Sequence, residues 1–123
     1  MTVTQSFRDY VLEQLAGVGR VRSKRMFGGV GIYCGERFFG LIAADTLYLK
    51  VDDGNREDYI RRGMEPFRPF RDKPLWSMSY YAVPADVLED DEMLAEWGRK
   101  SLRAAEATPP QKRPSAERRP KKA

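Results

Sequence analysis

The chemistry open to this chain is limited most by two residue types, histidine and cysteine. The chain has no histidine, which excludes Ser-His-Asp and Cys-His catalysis, histidine metal ligands and the commonest general base near neutral pH. Cys34 is the only cysteine, so cysteine-rich zinc sites and internal disulfides are excluded, and a reducing cytoplasm is the expected location. Carboxylates, or Tyr80 and Tyr81, remain as an alternative set of catalytic groups, but their spacing indicates no enzyme. We therefore expect no catalytic residue, no cofactor and no metal.

Four cations fall within six residues, at Arg20, Arg22, Lys24 and Arg25. In a strand the first three share one face and Arg25 lies on the other. One interpretation is a contact with an anion or a protein partner, and the other is a solvated sheet edge protected by its charges. Arg25 also directly precedes two apolar residues and two glycines. The sequence therefore predicts a partner-binding segment made of Arg22, Arg25, Met26, Phe27, Gly28 and Gly29.

Three further motifs have simpler structural interpretations. Cys34 is either a reactive thiol or a small buried hydrophobic residue, and we favour the second. The stretch Gly28–Gly31 lacks the third glycine of a dinucleotide fingerprint and the Gly-Lys-Ser/Thr of a P-loop, so a tight turn is expected. The acidic pairs Asp52-Asp53 and Glu89 to Glu92 could hold a cation, but their places beside predicted helix starts favour helix caps.

The basic charge of the chain is concentrated in residues 108–123. Of the 22 basic and 18 acidic residues, six and one lie there, so residues 1–107 hold 16 and 17 and have a net charge of −1. This end has no large hydrophobic residue and is rich in Pro, so we expect a disordered tail. Two interpretations stay open, a solubilising tail or weak, sequence-independent nucleic-acid binding. The cations concerned are Lys112, Arg113, Arg118, Arg119, Lys121 and Lys122.

Hydrophobic periodicity predicts a single α+β domain over residues 1–107. A first helix is capped by Thr2 or Thr4 and ends at Gly17 and Gly19. Gly35-Glu36 predicts a tight hairpin turn. Phe39, Leu41 and Ala43 alternate with Phe38, Gly40 and Ile42, which predicts a central strand that is apolar on both faces. The remaining expectations are strands over residues 21–27, 30–34, 47–51 and 76–83, an irregular crossing over 64–75, helices over 55–62 and 85–88, and a last helix from Asp90 or Asp91 to about Ala107.

Three motifs resemble the signature of the TfoX N-terminal domain, from the TfoX/Sxy family of competence regulators. They are Arg25–Gly29 followed by Gly31 and Tyr33, Leu47–Asp52, and Met78–Pro84, and the last helix with Trp97 also fits. The resemblance covers residues 5–106 in order. It implies a two-layer fold similar to secretion chaperones, with two to three helices on an antiparallel sheet of five to six strands. It also implies a link to transcriptional co-activation of DNA-uptake genes, and it brings no catalytic residues with it.

One departure from the family pattern concerns the end of the chain. Full-length TfoX proteins carry a second, helical domain, whereas only the basic tail follows here. We expect a non-enzymatic regulatory module that contacts a protein partner, such as the transcription machinery or a regulator, and the open sheet edge predicts a homodimer. No apolar run approaches the roughly 18 residues of a membrane span. The first residues lack the features of a signal peptide, so we expect none.

Overall fold

The computed structural model describes residues 3–26, 29–67 and 80–107, and for Met26 it describes the backbone alone. A 3-10 turn over Ala16–Val18 separates the first helix from the first strand. In chain order the elements are α1 (Gln5–Gln14), β1 (Val21–Met26), β2 (Gly29–Cys34), β3 (Arg37–Ala43), β4 (Thr46–Lys50), α2 (Arg56–Ile60), β5 (Tyr80–Ala82), α3 (Ala85–Glu89) and α4 (Asp91–Ala107).

The five strands form one antiparallel sheet in the order in which they occur along the chain. The long helix α4 packs across β3 and β4, which gives a layer of helices on one face of the sheet. This is the two-layer α+β fold that the family resemblance implies, which is confirmed. Within the described residues there are four α-helices rather than two or three, because the short predicted turn before α4 forms a helix of its own.

Two helices, α1 and α4, start with the predicted side-chain caps, whereas α2 starts after Asn55 without one, so the prediction that Asp52-Asp53 cap it is wrong. The hydroxyl of Thr4 accepts a hydrogen bond from the backbone N–H of Phe7 at 3.3 Å, so Thr4 caps α1. Thr2, the other candidate cap, lies outside the described residues. Asp90 accepts hydrogen bonds from the N–H groups of Glu92 and Met93, both at 3.1 Å, and caps α4. The acidic residues before the last helix therefore satisfy its first free N–H groups, as predicted.

Two predictions fall partly outside the described residues. The predicted strand over 76–83 is confirmed as β5 over its second half, and residues 76–79 are not described. In the predicted irregular crossing, Pro66 pairs with Tyr81, and the N–H of Phe67 donates to the carbonyl of Tyr80 at 2.7 Å. A short stretch of chain therefore borders the far side of β5. The remainder of that crossing and the basic tail are not described.

The two short hairpin connections use the left-handed backbone region differently. Gly35 has a φ of 62°, as the predicted turn requires, since glycine adopts that conformation without steric cost. Ala44 and Asp45, between β3 and β4, have φ values of 51° and 52°. Asp45 is fixed there because its carboxylate accepts hydrogen bonds from the N–H of Thr4 at 2.8 Å and from its hydroxyl at 3.2 Å. Ala44 is exposed and has no such compensation.

Replacing Ala44 with glycine is therefore expected to stabilise the domain. Alanine in the left-handed region costs about 1 kcal/mol or more, and the extra chain entropy of glycine offsets about half of that. We expect the free energy of unfolding to rise by roughly 0.5 kcal/mol in urea denaturation. Ala85→Gly, an exposed alanine at the start of α3 with ordinary backbone geometry, is the matched control and is expected to destabilise. Equal effects of the two changes would contradict the assignment of strain to Ala44.

A bulge in β3 changes the predicted phase of that strand. Ile32 pairs with Gly40 and Tyr33 with Phe38, so Phe39 is an extra residue between two pairs. Its ring is fully buried and lies 3.8 Å from the position that a Cβ at Gly98 of α4 would occupy. The prediction that Phe39 shares a face with Leu41 is therefore wrong. The bulge turns the Phe39 ring toward the helices, whereas Leu41 lies half-buried on the opposite face.

The two faces of the sheet have different neighbours, and the one on which α4 packs is called the helix face. The helix face carries buried side chains that pair across the strands, among them Ile32, Leu49 and Tyr81. The outer face is the opposite one and carries Tyr33 and Tyr48. Side chains that are paired across neighbouring strands share a face, so the register assigns each strand residue to one side.

Candidate functional site

The cationic segment predicted from the sequence forms β1, the first strand of the sheet. Arg22 pairs with Tyr33 and Lys24 with Gly31, which places both cations on the outer face. Arg25 pairs with Val30 and therefore lies on the helix face. The predicted division of the cations between two faces is confirmed. All three side chains are exposed to solvent.

The cations of this strand are not neutralised by nearby acids. Within residues 3–26, 29–67 and 80–107, neither Arg20 nor any cation of β1 forms an ion pair. By contrast, five other cations in the same ranges do, namely Arg8, Arg56, Arg61, Arg62 and Lys100. The domain is nearly neutral as a whole, yet one strand carries a local excess of positive charge. Such an excess costs self-repulsion and is relieved by an acidic partner.

We call the outer edge of β1, which no strand of the described residues borders, the free edge of the sheet. Within the described ranges β1 pairs with β2 alone, whereas the opposite edge strand, β5, is bordered by the Pro66 segment. In an antiparallel pair every second residue directs its N–H and C=O away from the neighbouring strand. Along β1 those groups face outward, beside the unneutralised cations.

A row of aromatic rings on the outer face extends from β1 across the sheet. The guanidinium carbon of Arg22 lies 5.0 Å from the ring centre of Tyr33, and its Nη2 donates to the carbonyl of Gly35 at 3.1 Å. The ring centres of Tyr33 and Phe38 are 5.2 Å apart, and those of Phe38 and Tyr80 are 5.6 Å apart. At the far end the amine of Lys50 lies 5.2 Å from the centre of the Tyr80 ring. We call Tyr33, Phe38 and Tyr80 the aromatic row.

Electrostatics at the end of this row oppose general-base catalysis by Tyr80. Burial raises the pKa of the Tyr80 hydroxyl above its usual range, so the hydroxyl stays protonated and is a poor general base. Burial lowers the pKa of the Lys50 amine, an effect that the nearby Asp52 carboxylate partly reverses. The alternative of a tyrosine-based enzyme therefore gains no support from this region.

Two predicted contact residues cannot be placed. Phe27 and Gly28 lie outside the described residues, as do the six cations of the tail. The backbone of Met26 pairs with that of Gly29, which brings the two ends of the glycine-containing connection together. The tight turn predicted from the glycines falls on residues outside the described ranges and stays a prediction.

The other motifs singled out in the sequence have structural roles. Cys34 is half-buried against the core, as a small hydrophobic residue would be. Asp52 accepts a hydrogen bond from the N–H of Gly54 at 2.9 Å, and Asp53 pairs with Arg56 at 2.5 Å. These two carboxylates therefore stabilise the turn into α2. No group of residues suited to a metal ion occurs in the described ranges.

Two open clefts border helix α4. The larger, about 440 Å³, is lined in part by Glu13, Asp91, Glu92 and Arg99. Its acids are solvent-exposed, and Arg99 already donates to the carbonyl of Gly17 at 3.2 Å. The smaller cleft has a volume of about 300 Å³ and is lined in part by Lys100. The amine of Lys100 pairs at 2.9 Å with Asp58, a residue that does not line the cleft. Neither cleft brings together a nucleophile and a base.

Sequence reasoning found β1 but missed the aromatic row. The row joins residues of three strands, and only the register and the β3 bulge show that they share a face. A signal was present, since Tyr33 alternates with the core residues Ile32 and Cys34.

None of the helices in the described ranges is long and apolar enough to cross a bilayer.

Comparison with known families agrees with this geometry. The sequence pattern of the TfoX N-terminal domain matches residues 13–105, which include every strand of the described sheet, most of α4 and the end of α1. No curated protein sequence matches the chain. The matched region spans three quarters of the chain. The chain therefore belongs to the family of the TfoX N-terminal domain.

Proposed function

We propose that this domain is a non-enzymatic regulatory module that binds a protein partner through β1 and the connection after it. The observation that carries the proposal is the cluster of three exposed cations, Arg22, Lys24 and Arg25, on one edge strand, none of which forms an ion pair with another described residue. Family membership supports a regulatory role of the TfoX kind, in which the partner belongs to the machinery that controls transcription.

Site-directed photo-crosslinking in the host cell tests this proposal. A photoreactive amino acid in place of Ser23, on β1, is expected to capture a protein that the same group at Glu96, on exposed α4, does not. Arg22→Ala with Arg25→Ala is expected to abolish the captured band because both charges face the partner. Arg61→Ala with Arg103→Ala removes the same charge elsewhere and should leave the band. A band that survives the β1 substitutions would contradict the proposed surface.

The regulatory part of the proposal has its own test. Deleting the gene is expected to lower the transcripts of DNA-uptake genes and the frequency of natural transformation. Reintroducing the chain restores both, whereas the Arg22→Ala and Arg25→Ala variant does not. The transcripts could be unchanged in the deletion strain while the wild-type chain still captures its partner. That result would show that the domain binds a protein but regulates a different target.

A second candidate function is non-specific nucleic-acid binding by the tail, which is favoured by six cations within residues 108–123. If all six neutralise phosphates, the logarithm of the binding constant falls with the logarithm of salt concentration at a slope of about −5. Truncation after Ala107 is expected to abolish retention of duplex DNA at about 50 mM salt. Absence of binding by the full chain under those conditions would remove this candidate.

A further inference from the structure

We propose that β1 binds an extended, acidic segment of the partner protein as an additional strand of the sheet. The inference rests on the proposed protein-binding function and adds its mode of recognition and the chemistry of the partner. The partner segment supplies backbone groups to the free edge and carboxylates to Arg22 and Lys24 on the outer face of β1.

The backbone of β1 is suited to the addition of a strand. The register of β1 with β2 is regular over six consecutive pairs, from Val21 with Cys34 to Met26 with Gly29. The outward N–H and C=O groups of β1 therefore follow one another at the regular spacing of a strand, which is the arrangement that strand addition needs. An isolated bulge or proline would interrupt that spacing, and β1 has neither.

The cations of β1 favour an acidic neighbouring strand. Residues paired across neighbouring strands have Cβ atoms about 4.5–5.5 Å apart, and opposite charges at such positions attract. A strand beside β1 would place alternate side chains next to Arg22 and Lys24 on the outer face, and the residue opposite Arg25 would lie on the helix face. Carboxylates at those positions would pair with cations that form no ion pair within the described ranges. The favoured partner is thus acidic on two successive outer positions.

A second copy of the chain is a less favourable occupant of this edge. Two β1 strands side by side would bring together two sets of unneutralised cations, and like charges at paired positions are destabilising. The homodimer predicted from the sequence stays a prediction, and it would need a surface other than this edge. Light scattering at micromolar concentration measures it directly.

Single-stranded nucleic acid is also less favourable. Such ligands need free aromatic faces on which bases stack. Here Arg22 covers the ring of Tyr33, Lys50 covers that of Tyr80, and the rings of the aromatic row contact each other at tilted angles. Cations also lie on both sides of β1, which suits a neighbouring strand with side chains on both sides rather than a ligand on one surface.

The test uses the full chain and a synthetic seven-residue peptide in which glutamate alternates with valine. Binding is followed by nuclear magnetic resonance through the backbone amides of β1. Two further peptides carry N-methyl groups on alternate amides, one in each phase. Only one phase faces β1 in a strand pair, so one methylated peptide should bind about tenfold more weakly or worse, and the other should bind like the parent.

Charge reversal provides the matched control. Arg22→Glu with Lys24→Glu should lose the glutamate peptide and gain a peptide in which lysine replaces glutamate. Arg61→Glu with Arg103→Glu changes the net charge equally and should do neither. Both variants are checked for folding by their amide spectra, and a misfolded β1 variant is replaced by Arg22→Gln with Lys24→Gln, which should lose the glutamate peptide alone.

Several outcomes would overturn strand addition. Equal binding of both methylated peptides would show charge attraction without strand pairing. Protection of β1 amides by the protein alone, rising with concentration, would assign the edge to a second copy. Displacement of the peptide by oligodeoxythymidine would assign it to nucleic acid. Photo-crosslinking at Ser23 with no peptide binding would leave the proposed function standing and remove strand addition, whereas loss of the crosslink would remove both.

Discussion

Replacing Phe39 with alanine is expected to lower the free energy of unfolding by about 3–5 kcal/mol, which is close to the whole stability of a small domain. The ring is fully buried between the sheet and α4, at the point where the β3 bulge turns it toward the helices. Truncation removes the buried apolar area and leaves a cavity next to Gly98, which has no side chain to fill it. Urea denaturation followed by circular dichroism measures the change.

The neighbouring residue Phe38 is the matched control for this prediction. Its ring is half-buried on the outer face, where water replaces part of what truncation removes, so Phe38→Ala should cost roughly half as much or less. Phe39→Leu keeps most of the apolar volume and should cost about 1 kcal/mol. Equal losses for Phe38→Ala and Phe39→Ala would contradict the bulge, since a strand without it would direct the Phe39 ring away from α4.

Local chemistry allowed much of the fold to be predicted. The hydroxyl of Thr4, the carboxylate of Asp90 and the missing side chain of Gly35 each act within a few residues of their own position. Caps and tight turns depend on such short-range effects, so they can be read from the sequence. The strands of the meander follow for a similar reason, because short connections leave neighbouring runs little choice but to pair antiparallel.

The phase of β3 could not be predicted for a physical reason. Both of its faces are apolar, so the hydrophobic pattern is the same with or without an extra residue. Phe38 and Phe39 are chemically equivalent, and only the space beside Gly98, contributed by a helix about 60 residues later, selects Phe39 for the core. The position of a bulge is thus decided by tertiary packing.

The candidate site was only partly visible for a related reason. The cations of β1 are adjacent in sequence and were found at once. Their lack of acidic neighbours depends on where all other carboxylates fold, and their place at a free edge depends on strand order. The near-neutral charge of residues 1–107 concealed the local excess, because a net charge averages β1 with the acidic residues of the rest of the domain.

Replacing Gly98, in the middle of α4, with alanine has two opposite effects on the free energy of unfolding. Alanine in place of glycine in a helix interior is worth about 1 kcal/mol by helix propensity alone. The added Cβ, however, would lie 2.7 Å from a methyl carbon of Val18 and 3.2 Å from one of Leu15. Overpacking of this kind costs about 1–3 kcal/mol, and the branched side chain of Val18 has little freedom to turn away. We expect Gly98→Ala to lower the free energy of unfolding by up to about 2 kcal/mol.

Shortening Val18 should reverse the sign of that effect. In a Val18→Ala background the nearest methyl carbon is absent, and the remaining contact with Leu15 involves the end of a flexible side chain that can move. Gly98→Ala should then stabilise the domain by up to about 1 kcal/mol, because helix propensity acts unopposed. The double-mutant cycle should give a coupling energy of about 1–3 kcal/mol between the two positions. Gly98→Ala with the same effect in both backgrounds would mean that α4 does not pack closely on the turn before β1. Close packing there holds the start of the cationic strand against the core, so it also sets how rigidly the free edge is presented to a partner.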